Sequence, residues 1–225
     1  MSTVSITAPH FDAAVIAAAA VEQGHSLGWR FMMSPPYVAS KAKLLMVFLN
    51  PGGSEDDLQH SKWAPEEGNC YRTERWLTHE EGKAPLQLQV QKLWKLLGLE
   101  DDEVFCANYV PFRSESWQKM GCRRKSAEAF AHQLWSWLLP QLSYERVVCV
   151  GKDLPGRAIA KLLGAGTPES LPVGWGKVVA DRYRLPNGKT LIALPHLSRF
   201  QIFGRAEGTG IAELRTLFEL EPTPA

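Results

Sequence analysis

Three short apolar runs set the strongest limit on how this chain folds. They are Lys43–Leu49, Val104–Val110 and Arg146–Val150, and each contains few polar residues. Such runs are typical of strands covered on both faces, as in a parallel sheet packed between helices. Because stretches with helical spacing separate them, the sequence predicts an α/β fold with a central, mostly parallel sheet of about four to five strands, flanked by helices.

Local sequence features predict the elements between and after these runs. Pro85 suits the first turn of a helix that Gly98 ends. Pro186-Asn187-Gly188 predicts a tight turn between two strands, Val178–Leu185 and Lys189–Leu194. A first helix is expected to bury the apolar residues that recur at helical spacing, which are Phe11, Val15, Ala18 and Val21.

Length and composition indicate one globular domain, since the chain has 225 residues and is 45% hydrophobic. We assign all of residues 1–225 to it, with an N-terminal helical extension at 1–40 and a variable acidic insertion at 54–84. No apolar run is long enough to span a bilayer, and none has the pattern of a secretion signal. We therefore expect a cytoplasmic protein that is monomeric and has no membrane partner.

The four cysteines favour free thiols over a metal centre. They contain no Cys-x-x-Cys pair, so the sequence predicts neither a zinc nor an iron–sulfur site, and we expect no metal and no other cofactor. Their positions are Cys70, Cys106, Cys122 and Cys149.

Charge is unevenly distributed although its formal sum is only +1. Segment 55–81 carries eight acids and three bases, and segment 113–125 carries five bases and one acid. Bases that converge on one face bind polyanions, whereas separated bases form an ordinary solvated surface. The sequence leaves both interpretations open.

Polar or glycine-rich residues follow the predicted strands, where ligands bind in open parallel sheets. They are Asn50-Pro51-Gly52-Gly53, Asn108, Gly151-Lys152 and Pro195-His196-Leu197-Ser198. Small residues allow a ligand to approach the backbone closely, although the first stretch is also compatible with a plain turn. A histidine after a strand is often a structural hydrogen-bonding group. An asparagine within an apolar run must find partners for its amide.

Taken together and in this order, these stretches resemble the motifs of the uracil-DNA glycosylase superfamily. Leu49–Gly52 is similar to the first motif of its mismatch-specific and thymine-DNA glycosylase branches. Val104–Asn108 resembles the strand whose asparagine contacts the extruded base, and Val147–Lys152 resembles the strand that follows. Leu194–Arg199 is similar to the second motif, with Leu197 in place of its proline.

The resemblance spans about residues 43–203 and implies a monofunctional DNA glycosylase that flips its target base and leaves an abasic site. Asn50 would hold the attacking water, and the lack of a carboxylate there implies slow turnover. His196 would donate a hydrogen bond to the departing base, and Asn108 would pair with its Watson–Crick edge. The amide of Asn108 can be oriented either way, which suits uracil or cytosine.

The glycines after the first strand carry the hypothesis about the substrate. Relatives that are strict for uracil have a bulky aromatic residue at the position of Gly52, which blocks substituents at pyrimidine C5. Gly52 and Gly53 would leave that side open for a C5-substituted pyrimidine, up to a hypermodified cytosine of phage DNA. The alternative is that Gly52 only satisfies backbone geometry.

Other site residues have structural alternatives of their own. Tyr71 and Trp63 are candidates for stacking on the base, although tryptophans more often pack in the core. Arg199 and Phe200 follow the second motif, where the family places residues that enter the gap left by the base, but Phe200 also suits the core. Contacts to phosphate are predicted for Lys152, Ser198, Arg123, Arg124 and Lys125. The alternative for the four basic residues is an exposed charge that binds nothing, and the alternative for Ser198 is that it only caps a turn.

Three further interpretations remain open. Within the enzyme class, the alternative is a repair enzyme that acts on uracil or thymine mispairs. Outside it, a catalytically silent nucleic-acid-binding protein would keep the fold, although such a protein has no need of both Asn50 and His196. An unrelated nucleotide-binding protein is disfavoured because the chain has no phosphate-binding glycine loop. We expect double- or single-stranded DNA as the partner and a nucleoid location. The acidic segment is interpreted as a lid over the pocket, a surface for a partner, or a shield against ordinary DNA.

Overall fold

The computed structural model describes residues 10–53, 60–203 and 209–221. Within these ranges one sheet of six strands forms the centre of the protein, in the order β2-β1-β3-β6-β5-β4. The strands are β1 (Leu44–Phe48), β2 (Val104–Asn108), β3 (Arg146–Val150), β4 (Glu169–Trp175), β5 (Val178–Arg184) and β6 (Thr190–Leu194).

The four strands β2, β1, β3 and β6 run parallel, while β5 and β4 extend the sheet in antiparallel pairing. This confirms the predicted α/β fold with a mostly parallel sheet, although the sheet has six strands and not four to five. The turn at 186–188 joins β5 to β6 as predicted. The sequence did not indicate β4, because this edge strand is largely accessible and contains Pro172 and Gly174 in place of a continuous apolar run.

Six α-helices in the described ranges connect or flank the strands, and several are short. They are α1 (Ala13–Glu22), α2 (Cys70–Thr73), α3 (Pro85–Leu97), α4 (Arg124–Leu138), α5 (Ala158–Leu162) and α6 (Ile211–Phe218). Gly98 ends α3 in the left-handed conformation, with a φ of 66°, as the sequence predicts.

The sheet separates two hydrophobic clusters because successive side chains of a strand point to opposite faces. Leu45 and Val47 of β1 belong to the cluster that includes residues of α1 and α4. Leu44 and Met46 of the same strand belong to the cluster that includes residues of α3 and α6. Both faces of the parallel strands are therefore covered, which explains their uninterrupted apolar sequence.

The buried face of α1 differs from the predicted one. Asp12 caps the helix by accepting a hydrogen bond from the backbone N–H of Val15 at 2.9 Å. Ile16 and Ala19 are buried, whereas Val15 and Val21 are 37% and 84% exposed. The prediction failed because nearly every residue of this helix is apolar, so that the spacing of apolar positions does not select a face.

The four cysteines are free thiols, and Cys122 is exposed while the other three are buried. In the described part of the chain, no helix has both the length and the apolar character needed to cross a membrane.

Candidate active site

The parallel strands bring three polar side chains to one edge of the sheet. Asn108 is the last residue of β2, Asn50 follows β1 by two residues, and His196 follows β6 by two residues. All three line a single pocket with a volume of about 270 Å³. These residues are far apart in sequence, and they meet because the carboxyl ends of parallel strands lie at the same edge.

Backbone hydrogen bonds hold the loop of Asn50 against the loop that follows β2. The N–H groups of Tyr109 and Val110 donate to the carbonyls of Phe48 and Leu49, at 2.6 and 2.8 Å. The side-chain Nδ2 of Asn50 then donates to the carbonyl of the next residue at 3.0 Å. With Nδ2 held there, Oδ1 accepts no hydrogen bond from any described residue and remains able to orient a small ligand.

The amide of Asn108 has a fixed orientation. Its Nδ2 lies 3.3 Å from the carbonyl of Arg30 and 3.2 Å from the carbonyl of Phe31. Carbonyl oxygens only accept hydrogen bonds, so a flipped amide would set Oδ1 against two acceptors. The expectation that this amide can turn either way is therefore wrong. Both amide hydrogens are used by the backbone, and Oδ1 is the atom left for a ligand.

The imidazole of His196 is held in one tautomer by Ser198. The hydroxyl of Ser198 lies 2.7 Å from Nδ1, and its backbone N–H, which only donates, lies 3.4 Å from the same atom. Nδ1 is thus the acceptor and Nε2 carries the hydrogen. Burial, followed by the positive charge of Arg199, lowers the pKa of His196. At neutral pH the ring is an uncharged donor at the pocket wall.

The two glycines after β1 have different structural requirements. Gly53 has a φ of 124°, which disfavours any residue with a side chain. Gly52 is not in a left-handed conformation, and a Cβ added there would have no atom of a described residue within 4 Å. The carbonyl of Gly52 accepts a hydrogen bond from Nη1 of the buried Arg113 at 3.1 Å, and Arg113 also lines the pocket. Backbone geometry therefore accounts for the presence of glycine at position 53 and does not account for it at position 52.

Aromatic side chains form one wall of the pocket. The rings of Tyr71 and Phe48 stack with their centroids 4.5 Å apart, and both line the pocket. Trp63 does not reach it, because its ring packs on Phe31 in the cluster on the other face of the sheet. Of the two predicted stacking candidates, the structure brings only Tyr71 to the site.

A second cavity of about 540 Å³ adjoins the pocket and shares Asn50, Gly52 and His196 with it. Ser198 and Arg199 line one side and are exposed. The other side is formed by the segment 114–118, which sequence reasoning did not identify. This groove leads from the surface to Asn50 and His196.

The remaining predicted DNA contacts lie outside both cavities. Lys152 forms an ion pair with Asp181 at 2.7 Å. Phe200 is half-buried in the cluster that includes residues of α3 and α6. At the start of α4, Arg123 donates to the carbonyl of Gly24, Arg124 donates to that of Gly121, and Lys125 is exposed.

Helix α3 anchors the loops around the pocket through three glutamines that the sequence analysis missed. Gln87 donates to the carbonyls of Cys70 and Glu74, both at 2.9 Å. Gln91 donates to the carbonyl of Tyr71 at 2.7 Å. Gln89 donates to the carbonyl of Leu197, in the loop of His196, at 2.8 Å. Gln87 and Gln89 are buried among the apolar residues of this helix, and they were the available indication because a buried amide must be paired.

The acidic segment contributes a wall of the pocket. Its residues Trp76 and Leu77 line the cavity, and Glu74 forms a bidentate ion pair with the buried Arg30, one bond of which measures 2.9 Å. Residues 55–59 of this segment lie outside the described residues.

A scan of protein-family models and a search of curated proteins found no match to this chain. Within residues 10–53, 60–203 and 209–221, no group of three or more His, Cys, Asp or Glu side chains has an arrangement able to hold a metal ion.

Proposed function

We propose that the protein is a monofunctional DNA glycosylase that hydrolyses the N-glycosidic bond of a flipped, C5-substituted pyrimidine. One observation carries this proposal: Asn50, Asn108 and His196 converge on one pocket, each with a polar atom available to a ligand. The resemblance of the surrounding motifs to the uracil-DNA glycosylase superfamily supports the same reaction.

In this reaction the oxygen of water forms a bond to C1′ of the sugar, and the bond from C1′ to the base nitrogen breaks. The electron pair leaves with the base, and the proton released by water is taken up by solvent or by the departing base. Oδ1 of Asn50 accepts a hydrogen bond from the water and orients it. An amide neither removes the proton nor stabilises positive charge on the sugar, so turnover is slow compared with an enzyme that has a carboxylate there.

His196 stabilises the negative charge that develops on the base. Its Nε2–H donates to a carbonyl oxygen of the pyrimidine, and this bond strengthens as charge collects there. A preorganised donor of this kind contributes about 3 kcal/mol to transition-state stabilisation. Ser198 supports the role because it holds Nδ1 as an acceptor and thereby keeps the hydrogen on Nε2.

Asn108 contacts the pairing edge of the base as an acceptor. Because its Nδ2 hydrogens are used by backbone carbonyls, Oδ1 requires a donor on the base. The exocyclic amino group of a cytosine supplies one, and so does the ring N–H of uracil or thymine. This contact therefore does not discriminate between cytosine and uracil or thymine, and other parts of the pocket determine which base binds.

Gly52 supports a substrate with a group at C5. No atom of a described residue lies within 4 Å of a Cβ added at Gly52, and the backbone conformation does not require glycine. We propose that this space receives the substituent, and that the substrate extends to hypermodified cytosines of phage DNA. The biological role would then be antiviral defence, with repair of uracil or thymine mispairs as the alternative.

The test is an oligonucleotide panel that carries uracil, thymine mispairs, 5-hydroxymethylcytosine and a glucosylated cytosine. Abasic sites are detected as alkali-labile strand breaks. We expect cleavage of the enlarged cytosines by the wild-type protein and at least a 100-fold loss in the variants Asn50→Ala and His196→Ala. The exposed residues Asn187 and His132 supply matched controls, since alanine at either position should leave the rate unchanged.

The panel also separates the alternatives. Cleavage confined to uracil or thymine mispairs would assign the protein to repair and contradict the role of Gly52. DNA binding without an alkali-labile product from any substrate would contradict the glycosylase proposal and favour a silent nucleic-acid-binding protein.

A further inference from the structure

Leu77 is an exposed apolar residue at the mouth of the pocket. Its side chain is 69% exposed, and its φ of 52° is a left-handed conformation that leucine rarely adopts. Among the large hydrophobic side chains exposed in the described part of the chain, Leu77 is the one that lines this pocket. An exposed, strained residue beside a site calls for an explanation by function.

The loop that carries Leu77 is fixed at its base. The N–H of Gly82 donates to the carbonyl of Glu74 at 3.0 Å, which closes the loop. Gln87 donates to that same carbonyl at 2.9 Å, and Gln91 donates to the carbonyl of Gly82 at 2.8 Å. Helix α3 therefore holds both ends of the loop in place.

Trp76, which precedes Leu77 in the chain, is fixed by contacts with Tyr71 and Glu74. The ring of Trp76 packs edge-on against Tyr71, with centroids 5.1 Å apart, and its indole N–H donates to Oε2 of Glu74 at 2.9 Å. Glu74 in turn is paired with the buried Arg30. Leu77 is thus an exposed side chain on a rigid support and does not belong to a loosely attached loop.

Of the two residues placed after the second motif, Arg199 is exposed but charged, and Phe200 is the apolar one. Phe200 is half-buried, and its ring lies 6.5 Å from that of Trp175 in an edge-on arrangement. It packs against the cluster that includes residues of α3 and α6. Entry of Phe200 into a DNA duplex would remove it from this packing, whereas Leu77 belongs to neither hydrophobic cluster of the described residues.

We propose that Leu77 is the wedge that enters the base stack at the position vacated by the flipped nucleotide. The inference rests on the proposed function, since it places a duplex against the mouth of the pocket. Apolar side chains that insert between bases stabilise an unstacked duplex, and a leucine beside the pocket is suited to fill the gap as the base enters. Leu77 would act on the flipping step and would not contact the base within the pocket.

The variant Leu77→Ala tests this role on duplex and single-stranded DNA that carry the same target base. A wedge is needed only where a stacked duplex must be opened. We therefore expect at least a tenfold loss of excision from the duplex and less than a twofold change on the single strand. Leu88→Ala is the matched control, because Leu88 is also exposed but lies on α3 outside this pocket, and both of its rates should be unchanged.

Equal losses on the two forms of DNA would overturn the proposal and would indicate that Leu77 covers the base itself. No loss on either form would also overturn it. A second measurement uses 2-aminopurine beside the target base in duplexes bound by the Asn50→Ala protein. Its fluorescence should rise when the protein that retains Leu77 binds the duplex. In the protein that also carries Leu77→Ala, the rise should be at most one third as large. If the wild-type protein excises no base from either form of DNA, the proposed function itself fails, and this inference fails with it.

Discussion

The side chain of Gln89 donates a hydrogen bond from Nε2 to the backbone carbonyl of Leu197, over 2.8 Å. Its Oε1 accepts a second bond from the N–H of Phe203 at 3.3 Å. Because Leu197 lies next to His196 in the chain, this buried glutamine joins α3 to the loop that presents the imidazole. The position of His196 therefore depends on a residue that is more than one hundred positions away in sequence.

Replacement of Gln89 by leucine should lower the free energy of unfolding by about 2 kcal/mol, because a buried carbonyl and a buried N–H lose their partner. The rate of base excision should fall at least tenfold while the affinity for DNA changes little. Chemical denaturation and single-turnover kinetics measure the two effects. Gln141→Leu is the control, since Gln141 is exposed and bonds only within its own segment. An unchanged excision rate would show that the loop needs no such anchor.

Alanine should destabilise the protein at Gly53 and leave its stability nearly unchanged at Gly52. Gly52→Ala should change the free energy of unfolding by less than about 0.5 kcal/mol, because the added Cβ meets no atom of the described residues. Gly53→Ala should lower it by about 1 kcal/mol or more, because the φ of 124° disfavours alanine. Thermal or chemical unfolding of the two variants makes the comparison.

A larger side chain at Gly52 should change the choice of substrate. Gly52→Tyr should fold, and it should reduce excision of a bulky C5-substituted pyrimidine at least tenfold more than excision of an unsubstituted one. Relative rates on a matched pair of oligonucleotides provide the measurement. Full activity of this variant on the bulky base would contradict the proposed position of the substituent.

Removal of the carboxylate of Glu74 should cost about 3 kcal/mol of stability. Arg30 is only 3% exposed, so the variant Glu74→Ala leaves a buried guanidinium without its charge partner. The pair Glu115–Lys119 is a suitable comparison because both of its side chains are more than half exposed. Glu115→Ala should therefore cost less than about 0.5 kcal/mol. Similar losses for the two variants in urea denaturation would contradict the structural role of the buried pair.

His25 should make the fold sensitive to acid. Burial, followed by the charge of Arg123, lowers the pKa of His25 to about 4, against an unfolded value of about 6.5. Between these values the unfolded chain binds a proton that the folded chain does not. The contribution of His25 to the free energy of unfolding is therefore fully present above about pH 6.5. It is lost as the pH drops toward 4, by about 3 kcal/mol in total.

The variant His25→Phe should remove most of this dependence, because phenylalanine preserves the stack on Phe112, where the centroids are 4.1 Å apart. Free energies of unfolding at pH 7 and pH 4.5 measure the effect. A smaller slope should persist, since burial also lowers the pKa of His196. An acid slope as steep as that of the wild-type protein would show that other groups control it.

The sequence by itself determined the parallel strands and the residues at their ends. A strand covered on both faces requires an uninterrupted apolar run, and such a run is visible without any knowledge of its neighbours. The rule that parallel strands present their carboxyl ends at one edge then predicted that Asn50, Asn108 and His196 lie together. These conclusions depend on local pattern and on topology alone.

Only the tertiary structure decided which atom of each group faces the pocket and which elements complete the site. The amide of Asn108 is oriented by carbonyls of residues 30 and 31, and the loop of His196 is held by Gln89 of a distant helix. Trp63 and Tyr71 are close in sequence but lie on opposite faces of the sheet. Hydrogen-bond partners and packing faces depend on distances between remote segments. A sequence pattern records the residue types but not the distances between them.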